Sequence, residues 1–222
     1  MWNRKMFKNK AKDIMKNNFM ELYLCAFILM LLSSIGNFFT HPILQFGIIS
    51  VFSIFVIMPL GIGLIRVYHK AKNNDNFSRV EVFHIFDDKN YLNIVKINFF
   101  VVLKTLAWTL LFIIPGIYKS LEYSMIPFIL ANDSSLSSKK VFELSKKMTY
   151  KHIGDLLILS LSFIGWYVPI VLINYIIISI FTNSIILGMI LISIVDILLS
   201  SALIVYIQMT MLEVYENLLN NL

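Results

Sequence analysis

The sequence predicts an all-α fold: a polytopic membrane helical bundle of about six transmembrane helices, joined by short amphipathic interfacial helices. Three observations carry that prediction. Residues of the AVILMFWYC set make up 58% of the 222 residues and charged residues only 14%, against roughly 45–50% and about 25% in soluble domains. The mean hydropathy is +0.77, which leaves too little polar surface to clothe a water-soluble globule. The apolar residues also fall in runs near the ~20 residues a helix needs to cross a bilayer. Disorder, collagen, a disulfide-rich secreted scaffold and a coiled coil are excluded by the same composition.

Residues 1–20 form the first element. Arg4, Lys5, Lys8, Lys10, Lys12 and Lys16 are interleaved with Trp2, Met6, Phe7, Ala11, Ile14, Met15 and Phe19 at helical spacing. This pattern predicts a basic amphipathic helix lying in the headgroup plane. The apolar run behind it is too long for a signal-peptide core and lacks an A-x-A cleavage site, so it reads as a retained membrane helix.

The bundle proper occupies 21–222 within a single membrane domain, 1–222. Its expected spans are Leu22–Phe39, Ile43–Ile65, Ile97–Ile114, Leu121–Ala131, Leu156–Ile180 and Ile185–Met211. Ile97–Ile114 is interrupted only by Lys104 and is expected to end at Pro115-Gly116, where a missing donor and backbone freedom stop a helix. Leu121–Ala131 is short for a crossing and holds Glu122 and Pro127, so it is expected to be tilted or partly unwound. Between spans, Ser78-Arg-Val-Glu81 has the form of a capping box, ahead of Val82, Phe83 and Phe86 on one helical face. Ser137 likewise precedes Val141, Leu144 and Met148, with Lys139, Lys140, Lys146 and Lys147 facing outward.

Charge decides orientation. There are 19 Lys and Arg against 13 Asp and Glu, a formal net charge of +6. In a membrane protein this balance points to segments held against anionic lipid headgroups on the cytoplasmic side, and nucleic acid is not an expected partner. The N-terminal arm holds six basic residues, the segment from Arg66 to Lys96 six, and the segment from Lys139 to Lys151 five. The connections Thr40–Pro42 and Phe181–Ser184 hold none. Placing 17 of the 19 basic residues inside requires an even number of crossings between Lys96 and Lys139. Ile97–Ile114 must then go out and Leu121–Ala131 bring the chain back. Both termini are accordingly expected in the cytoplasm of a multi-pass cell-membrane protein.

Little in the chain points to chemistry. His41, His69, His84 and His152 form no i,i+4 pair and Cys25 is the only cysteine, so no metal-ligand set or disulfide is expected. Gly61-Ile-Gly63 lacks the third glycine of a dinucleotide turn, and neither a P-loop nor Gly-x-Ser-x-Gly occurs. The reading is therefore non-enzymatic, with no catalytic residue and no cofactor. What stands out are ionisable groups at membrane depth: Lys104, Lys119, Glu122 and Asp196. A charge at the centre of a membrane helix costs about 2.5–3.5 kcal/mol on insertion scales, so it should face protein or water. Lys119 and Glu122 are three residues apart and can pair on a helix. Ser193 and Ser200 share a helical face with Asp196. That polar stripe is expected to face the bundle interior and meet Lys104 or the Lys119–Glu122 turn.

Five motifs follow one another in order: Ile114-Pro-Gly-Ile-Tyr-Lys119, Tyr123-Ser-Met125, Ile129-Leu-Ala-Asn-Asp133, Leu144-Ser-Lys-Lys-Met148 and Leu161-Ser-Phe-Ile-Gly-Trp166. In these motifs the chain resembles the bacterial integral membrane family catalogued as domain of unknown function 975. That family is common in Firmicutes and distantly similar to the membrane domain of some glycerophosphodiester phosphodiesterases. The resemblance implies a six-helix membrane fold of unestablished function and brings no catalytic residues with it. Lys151-His152 stands where the family tends to have Gly-His.

Three roles are compatible with the residues. The leading one is a transport-related component, either a small carrier or the membrane partner of an ATPase subunit, using the polar stripe and the broken fourth helix. The alternatives are an envelope factor, in lipid homeostasis or immunity to antimicrobial peptides, and a scaffold that recruits a cytoplasmic partner.

Overall fold

The computed structural model describes residues 2–34, 50–182 and 184–222. Among these residues the chain is helical, with no strand. The helices are α1 (Arg4–Ser34), α2 (Ser50–Lys72), α3 (Tyr91–Leu111), α4 (Ile113–Glu122), α5 (Ile126–Asn132), α6 (Ser138–Thr149), α7 (Ile153–Ile180) and α8 (Ile185–Leu219). A 3-10 helix, Arg79–Asp87, follows α2. Five of them (α1, α2, α3, α7 and α8) are long and apolar enough to cross a membrane, and the protein is a multi-pass membrane protein. The Thr40-His41-Pro42 connection and the span ends beside it lie outside the described residues, as does Asn183.

The N-terminal segment departs from expectation. The amphipathic helix of residues 1–20 does not lie apart from the first span. It continues into that span as one helix, α1, bent at Asn18, whose backbone is non-helical (φ −129°, ψ 18°). No proline or glycine separates the two parts, so nothing stops the backbone hydrogen bonding. The apolar stripe of the first part also packs on protein. Phe7 is 1% exposed and Ala11 is buried, and the Trp2 ring stacks on His152 at 5.0 Å. Beyond the bend Leu22, Cys25, Ala26 and Leu29 are buried, the i, i+3, i+4, i+7 face of a helix, and α1 packs chiefly against α8.

In α2 one turn, Ser53–Ile57, is wound as a π-helix just before Pro59. Proline has no N–H, so the carbonyl four residues earlier, at Phe55, loses its helical donor. The hydroxyl of Tyr91, at the start of α3, donates to that carbonyl instead. The 3-10 helix begins with the expected capping box: Ser78 and Glu81 exchange hydrogen bonds with each other's backbone. It buries Val82 and Ile85 rather than Phe86, which is exposed. In a 3-10 helix residues three apart eclipse one another, so the buried face follows that period. Gly63 of α2 permits the approach, because a Cβ there would collide with the carbonyl oxygen of Val82.

The expected stop at Pro115-Gly116 is displaced. The α3 helix ends at Leu111, Phe112 is extended (φ −157°, ψ 140°), and α4 starts at Ile113 with Pro115 in its first turn. A proline is tolerated there because first-turn N–H groups have no helical acceptor. Gly116 serves a different purpose. A Cβ on it would lie 2.8 Å from Thr109 Cα, so glycine lets α4 fold back tightly on α3. The stretch Leu121–Ala131, expected as a fourth crossing, is not one helix: the end of α4 and all but the last residue of α5 fill it, with a break at Tyr123–Met125. Neither is long enough to cross alone, whereas residues 113–132 would span about 30 Å as a helix at 1.5 Å per residue.

Candidate functional site

The break between α4 and α5 is held by side chains from α6. At the end of α4 the Glu122 carbonyl lacks its helical donor, since the Ile126 N–H bonds to Tyr123 at 3.1 Å. Ser145 of α6 donates to that carbonyl at 2.6 Å and Thr149 at 3.4 Å, and both residues are fully buried. The Glu122 side chain, 4% exposed, receives Lys119 Nζ at 2.9 and 3.0 Å. Rings of Trp108, Tyr118 and Tyr123 surround the same ammonium at 5.7–5.9 Å. Lys104 reaches in from α3 and sits 3.7 Å above the Phe142 ring, which meets Tyr123 edge-on at 5.1 Å. Ring faces attract a cation by about 0.5–2 kcal/mol, so both lysines are accommodated with a single carboxylate between them.

The six residues singled out from the sequence therefore do not form one cluster. Lys104, Lys119 and Glu122 gather where α3, α4 and α6 meet, together with the Pro115-Gly116 segment. Ser193, Asp196 and Ser200 lie elsewhere, on α8. Asp196 accepts a hydrogen bond from Asn174 Nδ2 of α7 at 2.8 Å, not from Lys104 or Lys119. The physical reason is the packing order: α8 lies against α1 and α7, while the α3–α4 hairpin lies against α6. Beside Asp196 is a cavity of about 170 Å³ lined also by Ser33, Ser34, Ser193 and Ser200. Ser193 is exposed and Asp196 half-buried, so the stripe does not point into a dry interior.

Residues 96–222 match the model of the protein family of unknown function DUF975. The chain belongs to the DUF975 family. No curated protein and no solved structure matches it. The matched stretch of this DUF975 protein begins inside α3 and contains both polar groups described above. It leaves out α1, α2 and the 3-10 helix.

Ion pairs that the sequence did not single out tie those outer elements to the DUF975 segment and to one another. Lys72 of α2 binds both Glu213 and Glu216 of α8. Lys10 of α1 lies 3.8 Å from Glu213, and His69 lies 3.7 Å from Glu216. Arg66 binds Asp88 at 2.6 Å and the Ala131 carbonyl at 3.2 Å. The Ser134 hydroxyl donates to Asp88 at 3.0 Å, and Arg79 forks onto Glu21 at 2.6 and 2.8 Å. Two acids three residues apart, Glu213 and Glu216, near the end of an otherwise apolar run were the available signal, and Glu213 is the buried one. Together with the Trp2–His152 stack, these contacts bring α1, the α2 C-terminus, the α7 N-terminus and the α8 C-terminus to one end of the bundle, and α6, which runs into the α7 N-terminus, packs on α8 there.

Proposed function

We propose that this DUF975 protein is a non-enzymatic envelope component of the cell membrane, with both termini cytoplasmic, that works on the bilayer through anionic lipid headgroups of the inner leaflet. The observation supporting this is the charge at one end of the bundle. Lys5, Lys8 and Lys12 of α1 and Lys139, Lys140, Lys146 and Lys147 of α6 come to that end. Among the described residues only Lys139 of these seven has a carboxylate within 4.0 Å, that of Glu143. Anionic lipid contributes about 1 kcal/mol for each basic residue held near the surface. Cells lacking the protein are expected to become several-fold more sensitive to cationic membrane-active peptides. A full-length copy with the four α6 lysines changed to glutamine should fail to restore resistance. Full restoration by that copy would overturn the reading.

One observation favours a transport role instead, with an ATPase or another membrane subunit as partner. The Asp196–Asn174 pair beside a hydroxyl-lined cavity is the kind of polar site a membrane carrier uses. Asp196→Asn keeps an acceptor for Asn174 while removing the charge. Loss of solute flux in that variant, with peptide resistance retained, would move the assignment to transport.

A further inference from the structure

A groove of about 460 Å³ runs between α1, α7 and α8. Lys12, Trp166 and Tyr206 form one end; Ile173 and Leu199 line the other, with Pro169 between. The three helices agree on its direction. Travelling from the basic end, α1 runs from 12 to 19, α7 from 166 to 173, and α8 backwards from 206 to 199. Seven residues of helix are about 10 Å, so the groove descends that far below its rim. The rim carries the cationic Lys12 and the polar edges of Trp166 and Tyr206, while the far end is lined only by apolar side chains.

The rim carries cations without a counter-charge. Arg4, Lys8 and Lys12 are spaced by four residues and share one face of α1. Lys8 Nζ donates to Ser162 Oγ at 2.7 Å and lies 4.6 Å over the Phe163 ring. Lys12 Nζ lies 5.8 Å over the Tyr206 ring. Among the described residues no carboxylate comes within 4.0 Å of either lysine. Like charges at i,i+4 repel; Lys12 lines the mouth of the apolar channel, and Lys8 lies just outside it over Phe163, whose ring meets that of Tyr206 at 5.6 Å. An anion carrying an apolar chain complements both features at once.

We infer that the groove binds one anionic diacyl phospholipid, with its phosphate between Lys8 and Lys12 and one acyl chain running past Pro169 to Leu199. Its biological meaning rests on the envelope reading above, but its test does not. The full-length protein is reconstituted in vesicles of equimolar phosphatidylglycerol and phosphatidylcholine, extracted, and examined by native mass spectrometry. Wild type should retain one phosphatidylglycerol at least tenfold over phosphatidylcholine. The double variant Lys8→Gln/Lys12→Gln should lose that preference, and Ala202→Trp, which fills the groove, should retain neither lipid. If Ala202→Trp lowers the melting temperature, Ala202→Leu takes its place and should show reduced retention. Equal retention of both lipids by wild type, an undiminished preference in the lysine variant, or full retention by the filled groove would each overturn the site. Failure here with peptide resistance intact in cells leaves the envelope reading standing. Specific retention with no cellular effect overturns that reading and keeps the site.

Discussion

Replacing Ser145 by alanine removes the 2.6 Å hydrogen bond to the Glu122 carbonyl, the joint that holds the α4–α5 break to α6. The carbonyl sits where the helical ladder has ended, and the two hydroxyls that reach it are fully buried. Leaving such a group unsatisfied costs about 1–3 kcal/mol, while hydrogen bonds inside membrane proteins average about 0.6 kcal/mol and reach about 1.7. Thr149 offers a partial substitute at 3.4 Å, although its single proton also faces the Ser145 carbonyl at 2.9 Å. Ser145→Ala is therefore expected to cost about 1 kcal/mol, because Thr149 can turn to the orphaned carbonyl. Adding Thr149→Val removes the substitute, so the double variant should lose more than the sum of the singles by about 0.5 kcal/mol or more. A double-mutant cycle of unfolding in mixed micelles with a denaturing detergent reads both quantities. Strict additivity, with each single variant as stable as wild type, would refute the reasoning that this carbonyl depends on α6.

Gly116→Val should destabilise the protein by about 1–3 kcal/mol, the usual cost of overpacking, because its Cβ would meet Thr109. Gly61→Ala is the control: among the described residues nothing lies within 4 Å of a Cβ placed there, so a thermal melt should show no loss. For Asp88, burial works against the charged form, but the Asn90 N–H, Arg66 and Ser134 outweigh it and hold the carboxyl below the usual aspartate value. A depressed folded pKa contributes stability that is present above the unfolded value, about 3.9, and lost as pH falls through the folded one. Melting temperature should thus hold steady from neutral pH down to about 5 and fall below about 4. Asp88→Asn should show a smaller fall over that acid window, and an identical curve would contradict the role given to the Arg66–Asp88–Ser134 group.

Local signals in the sequence were legible where one element decides the outcome. The Ser78–Glu81 capping box forms as its spacing indicates, and Lys119 pairs with Glu122 one helical turn on. The long apolar runs are helical throughout their described residues, apart from Phe112. What escaped were outcomes set by packing between elements. Pro115 looks like a stop, yet a proline three residues into a helix is unstrained, and the chain instead breaks at Phe112, which carries no breaker signature. The α1 stripe looks like a membrane-surface face, but it is equally a protein-facing one, and Phe7 and Ala11 of it are buried in the bundle, chiefly against α8. Asp196 found Asn174 rather than a lysine because α7, its neighbour in sequence, is also its neighbour in space. Arg66 and Asp88 are joined only by the turn of the 3-10 helix, which no periodicity reveals.

Accessibility labelling tests most directly whether the basic segments share the cytoplasmic side. In a Cys25→Ser background, single cysteines replace Asp75, Ser135 and Thr182, and intact cells are treated with a membrane-impermeant thiol reagent. Labelling is expected at 182, and none at 75 or 135 until the membrane is opened. Labelling at 135 from outside, with 75 still protected, would show that residues 113–132 do not return the chain and would contradict the shared basic face.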